Sequence, residues 1–234
     1  LYPTLNGESA AYILDHSDCK AIILGKMDGI ADGWKDIEPH LPSLPMLSLP
    51  LSPRMDVPQY NDIIANIAPI SDEDITLPHV DAMATIVYTS GSTGRPKGVM
   101  HSFGTMCSVA NALRDTYKVT RDERMLSYLP LAHVAERAVV ETASLYFGYR
   151  VFFADGLETF QRDLQRAQPT IFFSVPRLWT KFYLAINEKL PPSKQRILFN
   201  IPFLNRLVKG KILKQLGLDK VRIAITASAP LPPN

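Results

Sequence analysis

The stretch "YTSGSTGRPKGVMHS" (Tyr88 to Ser102) is the most informative part of the sequence. It places three glycines, three serines and two threonines around a single Pro-Lys pair, directly after the apolar run Met83 to Val87. Glycine permits backbone angles and close approaches that a side chain forbids, so successive N–H groups can converge on an anion. This composition is typical of either a flexible linker or an anion-binding loop.

The surroundings of the stretch favour the anion-binding loop. It is not a Walker A loop, G-x-x-x-x-G-K-[ST], because Pro96 stands five residues after Gly91 and Lys97 precedes its glycine. Flexible linkers are bounded by polar sequence, whereas this stretch joins an apolar strand to "VMHSFGTMCSVANAL", which is typical of a buried helix. We therefore predict a nucleotide-phosphate loop, with a purely structural strand-to-helix turn as the alternative.

The side chains of the loop match such a ligand. The lysine supplies a compact positive charge whose attraction to phosphate grows as water is excluded, and the hydroxyl groups supply further donors. The candidate phosphate-binding residues are Thr89, Ser90, Gly91, Ser92, Thr93, Gly94 and Lys97.

The composition of the whole chain is that of a globular protein. Of its 234 residues 46% are hydrophobic and 9% aromatic, which is enough to bury a substantial core. The two cysteines, Cys19 and Cys107, have no metal-ligand spacing, so a disulfide framework or zinc site is disfavoured and a reducing compartment fits best. No apolar run reaches the ~20 residues that span a bilayer, and the first residues lack the pattern of a signal peptide. These features predict a cytoplasmic location.

Short apolar strands alternate with amphipathic helices along the chain. Asn6 is placed to cap a helix that ends near His16. Continuous apolar strands joined by helices predict an α/β fold, with layered, largely parallel sheets flanked by helices. The predicted strands are 20–25, 83–89, 125–131, 149–155, 170–175 and 221–227, and the further helices are 102–117, 134–147, 157–166 and 177–190.

A proline-rich segment interrupts this alternation at residues 39–58. Its six prolines disfavour a helix and are largely incompatible with a central strand. We predict an extended connector, with a ligand for a proline-binding module as the functional alternative.

Residues 189–222 form a basic amphipathic segment. It holds nine basic residues and one acidic residue, so its net charge is +8, while the whole chain carries +2. Its apolar residues could form one face of a helical pair. A solvated basic face over a core-facing stripe is one interpretation, and peripheral contact with an anionic membrane is the other. Without an aromatic stacking platform or a nucleic-acid-binding motif, we predict no nucleic-acid partner.

The motif "YTSGSTGRPKGV" resembles the phosphate-binding signature of the adenylate-forming (AMP-binding) enzyme superfamily. Three segments are similar to the long-chain fatty acyl-CoA synthetase branch: "YLPLAHVAER" (128–137), "SVPRLWTKFY" (174–183) and residues 1–24. The segment "ITASAPL" (225–231) resembles the family's strand before the adenine and acyl pocket. The resemblance covers nearly the whole chain. It implies that residues 1–234 are part of the large N-terminal domain of the adenylate-forming fold.

The resemblance also implies a two-step reaction that uses ATP, Mg²⁺ and coenzyme A. A fatty acid carboxylate attacks the α-phosphate, and the thiol of coenzyme A then displaces AMP from the acyl-adenylate. The role implied for Lys97 is catalytic, through stabilisation of the leaving pyrophosphate. His133 is implied as a catalytic and substrate-binding residue, although a hydrogen-bonded turn residue is the structural alternative. Arg137 is a further substrate-binding candidate.

The segment after the last predicted strand is implied to contact the nucleotide through Ser228, Ala229 and Pro230. Two positions depart from the family pattern: Phe103 replaces a frequent asparagine, and Ala227-Ser228 stands where glycine is frequent. Further family motifs and a mobile C-terminal domain are expected downstream of Asn234. We therefore expect the chain to be inactive alone. An enzyme that loads a carrier protein, or a non-catalytic nucleotide- or lipid-binding segment, is the alternative function.

Overall fold

The computed structural model describes residues 1–27, 31–54, 56–89, 94–227 and 229–230. The chain divides into two compact units, Leu1–Ser108 with Leu129–Arg137 and Val109–Tyr128 with Ala138–Asn234. Among the described residues, three of the four strand pairs are parallel and one is antiparallel. The predicted α/β class with largely parallel pairing is confirmed.

The first unit is built around the N-terminal helix. Asn6 caps this helix as predicted, since its side-chain oxygen accepts a 2.8 Å hydrogen bond from the Ser9 backbone N–H. The elements of this unit are α1 (Gly7–His16), β1 (Ile22–Leu24), α2 (Ala31–Ile37), a 3₁₀ helix (Glu38–His40), β2 (Met46–Ser48), α3 (Tyr60–Ala65), a second 3₁₀ helix (Asp72–Asp74), β3 (Met83–Thr89), β4 (Lys97–Ser102) and the start of α4 (Phe103–Tyr117).

The proline-rich segment is extended, but it also contributes a strand. Met46–Ser48 forms β2 and pairs in parallel with β1. Pro45 precedes this strand and accepts a 2.9 Å hydrogen bond from the Ile22 N–H, while Pro50 follows it. Because proline is tolerated at the margins of a strand, the prolines flank the pairing and do not interrupt it.

The glycine-rich loop joins two strands, which corrects the predicted strand-to-helix connection. Residues 97–102 form β4, antiparallel to β3, and helix α4 begins only at Phe103. β3 is also less buried than its apolar sequence indicated, because Val87 is its one buried residue. Other elements therefore cover the two faces of the hairpin only in part.

The second unit carries two hydrophobic clusters. One surrounds Met125 and Ile171, and the other surrounds Leu164 and Phe172. Trp179 and Phe182 belong to the helix Pro176–Lys189 and pack in the cluster around Leu164 and Phe172. The apolar side of this helix therefore faces the core. The elements are the rest of α4, β5 (Arg124–Ser127), a π-helix (Glu136–Thr142) that begins in the first unit, α5 (Ala143–Phe147), β6 (Arg150–Phe153), α6 (Phe160–Ala167), β7 (Ile171–Ser174), α7 (Pro176–Lys189), α8 (Pro192–Asn200), α9 (Pro202–Leu216) and β8 (Ile223–Thr226).

Backbone hydrogen bonds of Thr170 connect the starts of three strands of the second unit. β5 pairs in parallel with β6, and β7 pairs in parallel with β8. The Thr170 N–H donates a 2.9 Å hydrogen bond to the Arg124 carbonyl, and the Arg222 N–H donates a 2.8 Å bond to the Thr170 carbonyl. The first residues of β5, β7 and β8 are therefore connected through Thr170.

Candidate functional site

The β3–β4 hairpin places two of the predicted phosphate ligands opposite each other. Thr89 and Lys97 are directly paired, and Tyr88 pairs with Gly98 one step further from the loop. Side chains of directly opposed residues lie on the same face of an antiparallel pair. Both Thr89 and Lys97 are exposed. The loop end of the hairpin therefore presents a hydroxyl donor and an ammonium group side by side, which is suitable chemistry for an oxyanion.

Two glycines of the loop serve different purposes. Gly94 has φ +88°, a left-handed angle that strains other residues, although the surrounding space is open. At Gly98 the restriction is spatial, because a Cβ would lie 2.8 Å from Ile86 Cγ2 and 3.1 Å from Tyr88 Cζ. Gly98 thus allows the Tyr88 ring to lie across the hairpin.

The remaining members of the predicted nucleotide site are placed as follows. Ser90, Gly91, Ser92, Thr93 and Ser228 lie outside the described residues. Ala229 and Pro230 are exposed and follow β8 in the second unit, whereas Thr89, Gly94 and Lys97 belong to the first unit. The structure therefore brings together the hairpin members of the site, and the nucleotide contacts of 228–230 stay a prediction.

His133 lies in a turn of the first unit with one ring nitrogen already engaged. The backbone N–H of His133 donates a 2.8 Å hydrogen bond to the Pro130 carbonyl. The ring Nδ1 of His133 accepts a 3.2 Å hydrogen bond from the backbone N–H of Ala135. Burial lowers the pKa of this half-buried imidazole, which favours the neutral ring. Since Nδ1 is the acceptor, the proton resides on Nε2. His133 is thus a hydrogen-bonded turn residue that also presents one N–H donor.

Glu136 and Arg137 follow His133 at the start of the π-helix. Glu136 is buried with 2% exposure, while Arg137 is half-buried. Adjacent helical residues do not share a face, and this difference is the one expected for them. π-helical turns are rare and occur frequently at functional sites. The substrate-binding role of Arg137 stays a prediction.

Two residues of α1 were not singled out by the sequence pattern, although they contact the hairpin. His16 shares a hydrogen bond with the Tyr88 hydroxyl, and Tyr12 lies below the Arg95 guanidinium. The i, i+4 spacing of Tyr12 and His16 places two aromatic rings on one helix face, and this spacing was the available signal.

Within the described ranges, no group of three or more His, Cys, Asp or Glu side chains gathers in a geometry that could hold a metal ion. The hydroxyl and ammonium groups of the hairpin suit phosphate oxygens and not a divalent cation, which prefers oxygen ligands carrying negative charge.

A model of the family of AMP-binding enzymes matches residues 1–234, the whole chain. The chain belongs to the AMP-binding enzyme family. Fatty acyl-CoA synthetase B of Dictyostelium discoideum is 31% identical over 264 residues, which cover 98% of this chain and 39% of that protein. The peroxisomal long chain acyl-CoA synthetase 6 of Arabidopsis thaliana is 31% identical over 270 residues, or 100% of this chain and 37% of that protein. The chain thus spans less than two fifths of the length of these curated relatives.

Solved structures with the same fold are similar to this chain over nearly its whole length. The A domain of carboxylic acid reductase from Segniliparus rugosus, in complex with AMP and a co-purified carboxylic acid, has a TM-score of 0.73 at 20% identity. It aligns with 100% of this chain and 41% of that one. The anthranilate CoA ligase AuaEII in complex with anthranoyl-AMP has a TM-score of 0.72 at 19% identity, covering 99% of this chain and 40% of that one. The predicted adenylate-forming fold is confirmed.

Proposed function

We propose that the full-length protein is an AMP-forming long-chain fatty acid–CoA ligase, an acid–thiol ligase. The observation that carries the proposal is the pairing of Thr89 with Lys97 beside the left-handed Gly94, in a chain of the AMP-binding family. Two relatives at 31% identity, both named as acyl-CoA synthetases, support a fatty acid as the substrate.

The first step requires stabilisation of a leaving group. A carboxylate oxygen of the fatty acid forms a bond to the α-phosphorus of Mg-ATP, and the bond from that phosphorus to the bridging oxygen breaks. The pyrophosphate departs with the electron pair, so negative charge grows on it. We assign Lys97 and the Thr89 hydroxyl to hold this charge, with Ser90 to Gly94 as further donors. The substrate carboxylate is itself the nucleophile, so no protein nucleophile is required.

His133 is assigned to the acyl side of the reaction. Its neutral ring carries a proton on Nε2, which can donate to an oxygen of the carboxylate or of the α-phosphate. Such a donor orients the attacking group without changing its own charge. We assign Arg137 to binding of the substrate, and Ser228, Ala229 and Pro230 to contacts with the nucleotide. In the second step the thiol sulfur of coenzyme A, as thiolate, attacks the acyl carbon, and AMP leaves.

Fatty-acid-dependent exchange of labelled pyrophosphate into ATP tests this function in the full-length protein. We expect exchange that requires a long-chain fatty acid and Mg²⁺, and formation of the acyl-CoA thioester when coenzyme A is added. Absence of exchange would contradict both adenylating functions and leave a nucleotide- or lipid-binding role. Exchange without a thioester would favour transfer to a carrier protein.

The helical hairpin α8–α9 is proposed as a surface for anionic lipid. No residue of either helix is buried, while Ile197, Phe203 and Leu207 expose 65%, 76% and 55% of their surface. A stripe of α9 made by Leu204, Val208, Ile212 and Leu216 is half-buried, and Leu216 packs against the cluster around Leu164 and Phe172, so the fold covers the apolar surface of this helix only in part. Asn205 Nδ2 joins the two helices through a 2.9 Å bond to the Phe199 carbonyl. Gln161 Nε2 fixes the end of α9 to α6 through a 3.0 Å bond to the Gln215 carbonyl.

The positive charge of the α8–α9 helix pair favours anionic lipid as its partner. Residues 189–222 carry a net charge of +8, and exposed lysines stand beside the exposed apolar residues. An anionic bilayer surface offers both the charge and the apolar boundary that such a face requires. In the described part of the chain, no helix has the length and apolar character that crossing a bilayer requires. The proposed contact is peripheral, and the cytoplasmic location stays a prediction.

Vesicle sedimentation of the full-length protein checks this contact. We expect binding to phosphatidylserine-containing vesicles that weakens with salt, and none to phosphatidylcholine alone. Replacing Lys211 and Lys214 with alanine should weaken binding by about 2 kcal/mol, roughly 30-fold. Replacing Leu145 and Leu157, exposed leucines outside the hairpin, with serine is the control. Binding that is insensitive to salt and to the lysine substitutions would contradict the proposal.

A further inference from the structure

Helix α1 contacts the phosphate-binding hairpin through an aromatic and polar cluster that the proposed chemistry does not use. The Tyr88 hydroxyl and His16 Nδ1 share a hydrogen bond of 2.7 Å. The two rings meet edge to face, with centroids 5.8 Å apart and an interplanar angle of 84°. Tyr88 directly precedes Thr89, so this contact fixes the β3 arm one residue before a phosphate ligand.

The opposite arm of the hairpin contacts the same helix. The Arg95 guanidinium carbon lies 5.6 Å from the centre of the Tyr12 ring, within the range of a cation–π interaction. Tyr12 and His16 themselves lie one helical turn apart, with ring centroids separated by 5.4 Å. Arg95 stands two residues before Lys97. One face of α1 therefore contacts the chain on both sides of the loop.

Helix α1 is held in a fixed orientation by its buried side. Ala10, Ile13 and Leu14 on its other side are buried, with 2%, 4% and 6% exposure. At its first turn, Gly7 packs so closely on the neighbouring 3₁₀ helix that a Cβ there would lie 2.3 Å from the His40 ring. Since the buried face fixes the rotation of the helix, the positions of Tyr12 and His16 are fixed with it.

The Tyr88 side chain contacts both α1 and the opposite strand of the hairpin. It lies against Gly98, where a Cβ would come within 3.1 Å of Tyr88 Cζ. Tyr88 pairs with Gly98, and the adjacent pair towards the loop is Thr89 with Lys97. The ring is thus held between α1 on one side and the β4 backbone on the other.

We propose that Tyr12 and His16 are positioning residues that hold both arms of the hairpin, so that Thr89 and Lys97 are preorganised for the phosphates of ATP. This inference rests on the proposed function, because it assumes that the hairpin binds ATP. A binding group that is already ordered loses less conformational freedom when the ligand arrives, and affinity increases accordingly. The two residues need not touch the nucleotide.

The test uses His16→Ala, Tyr88→Phe and the double variant of the full-length protein. Titration calorimetry measures the affinity for Mg-ATP, and hydrogen exchange measures protection of the backbone at residues 86–89 and 97–99. We expect each single variant to bind ATP roughly threefold to tenfold more weakly, the range given by one lost hydrogen bond. The loss in the double variant should be smaller than the sum of the two single losses, since both changes remove the hydrogen bond between His16 and Tyr88.

Tyr12→Leu and Asp15→Ala complete the design. Tyr12→Leu removes the ring below Arg95 and should raise the KM for ATP while leaving the KM for the fatty acid unchanged. Asp15 is an exposed neighbour on the same helical turn, so Asp15→Ala should leave both measurements at wild-type values.

The two readouts separate failure of this inference from failure of the proposed function. If the wild type binds ATP and the variants retain its affinity and exchange protection, the positioning role is wrong and the proposed function stands. If the wild type does not bind ATP, the proposed function fails and the inference falls with it, even where the variants lose protection. An additive loss in the double variant would also overturn the shared contact.

Discussion

Replacing Lys97 with alanine is expected to lower fatty-acid-dependent pyrophosphate exchange by about 10²- to 10³-fold in the full-length protein. This is the effect of removing one fixed donor to a developing oxyanion, about 3 kcal/mol of barrier. Lys97 begins β4 and is paired with Thr89, so its backbone position is set by the hairpin. Because the charge on the leaving pyrophosphate exceeds that on the bound triphosphate bridge, the loss should fall mainly on kcat.

The control for this variant is Lys181→Ala. Lys181 is an exposed lysine of α7, and its replacement removes the same charge from a helix surface. We expect wild-type exchange from it. A Lys97→Ala enzyme that exchanges pyrophosphate within threefold of the wild type would show that another group holds the leaving group.

The sequence was sufficient to predict most strands of the fold, because the apolar runs are short and bounded by turn residues. The limits predicted for β3, 83–89, agree with the structure. α4 begins one residue later than predicted, and α7 begins and ends one residue earlier. β4 was missed because "KGVMHS" contains a glycine and is largely exposed, so it lacks the apolar pattern of a strand. β2 was missed because it is only three residues long and lies between Pro45 and Pro50, which leaves too short a run to show a strand pattern.

The candidate site was predictable as residue types but not as contacts. The motif singled out Thr89, Gly94 and Lys97, whereas the bond between His16 and Tyr88 joins residues 72 positions apart. Such a pairing is set by the packing of α1 and leaves no local pattern. The same limit applies to His133, whose engaged Nδ1 depends on the turn made by Pro130 and Ala135.

A buried carboxylate at the start of the second unit's strands was also beyond sequence reasoning. Glu123 has 4% exposure and accepts hydrogen bonds from the Arg222 guanidinium and the Thr170 hydroxyl. Arg222 also donates to the carbonyls of Tyr117 and Lys118, at 2.9 and 3.1 Å, where α4 ends. One carboxylate thus connects the beginnings of β5, β7 and β8 with the end of a helix. Because Arg222 directly precedes β8, this cluster fixes the start of that strand.

Replacing Glu123 with alanine is expected to destabilise the full-length protein by about 2 kcal/mol, less than the 3–5 kcal/mol of a fully buried pair because Arg222 is partly exposed. If the part that unfolds together has about 150–250 residues, its melting temperature should fall by about 4–8 °C. Asp122→Ala, which removes an exposed carboxylate one residue earlier, should change it by less than about 1 °C. Equal effects of the two substitutions would contradict the anchoring role.

The pH dependence of Glu123→Gln isolates the charge of this carboxylate. Burial by itself raises the pKa of Glu123, but the hydrogen bonds from Arg222 and Thr170 outweigh it and hold the pKa below its usual 4.5. A carboxylate whose pKa is lowered by folding stabilises the protein above its unfolded pKa, and this stabilisation is lost as pH falls through the folded pKa. Wild type should therefore melt above Glu123→Gln at pH 7, and the difference should shrink as pH falls below 4.5. A difference that persists unchanged into that acidic range would show that the carboxylate contributes through its shape and not through its charge.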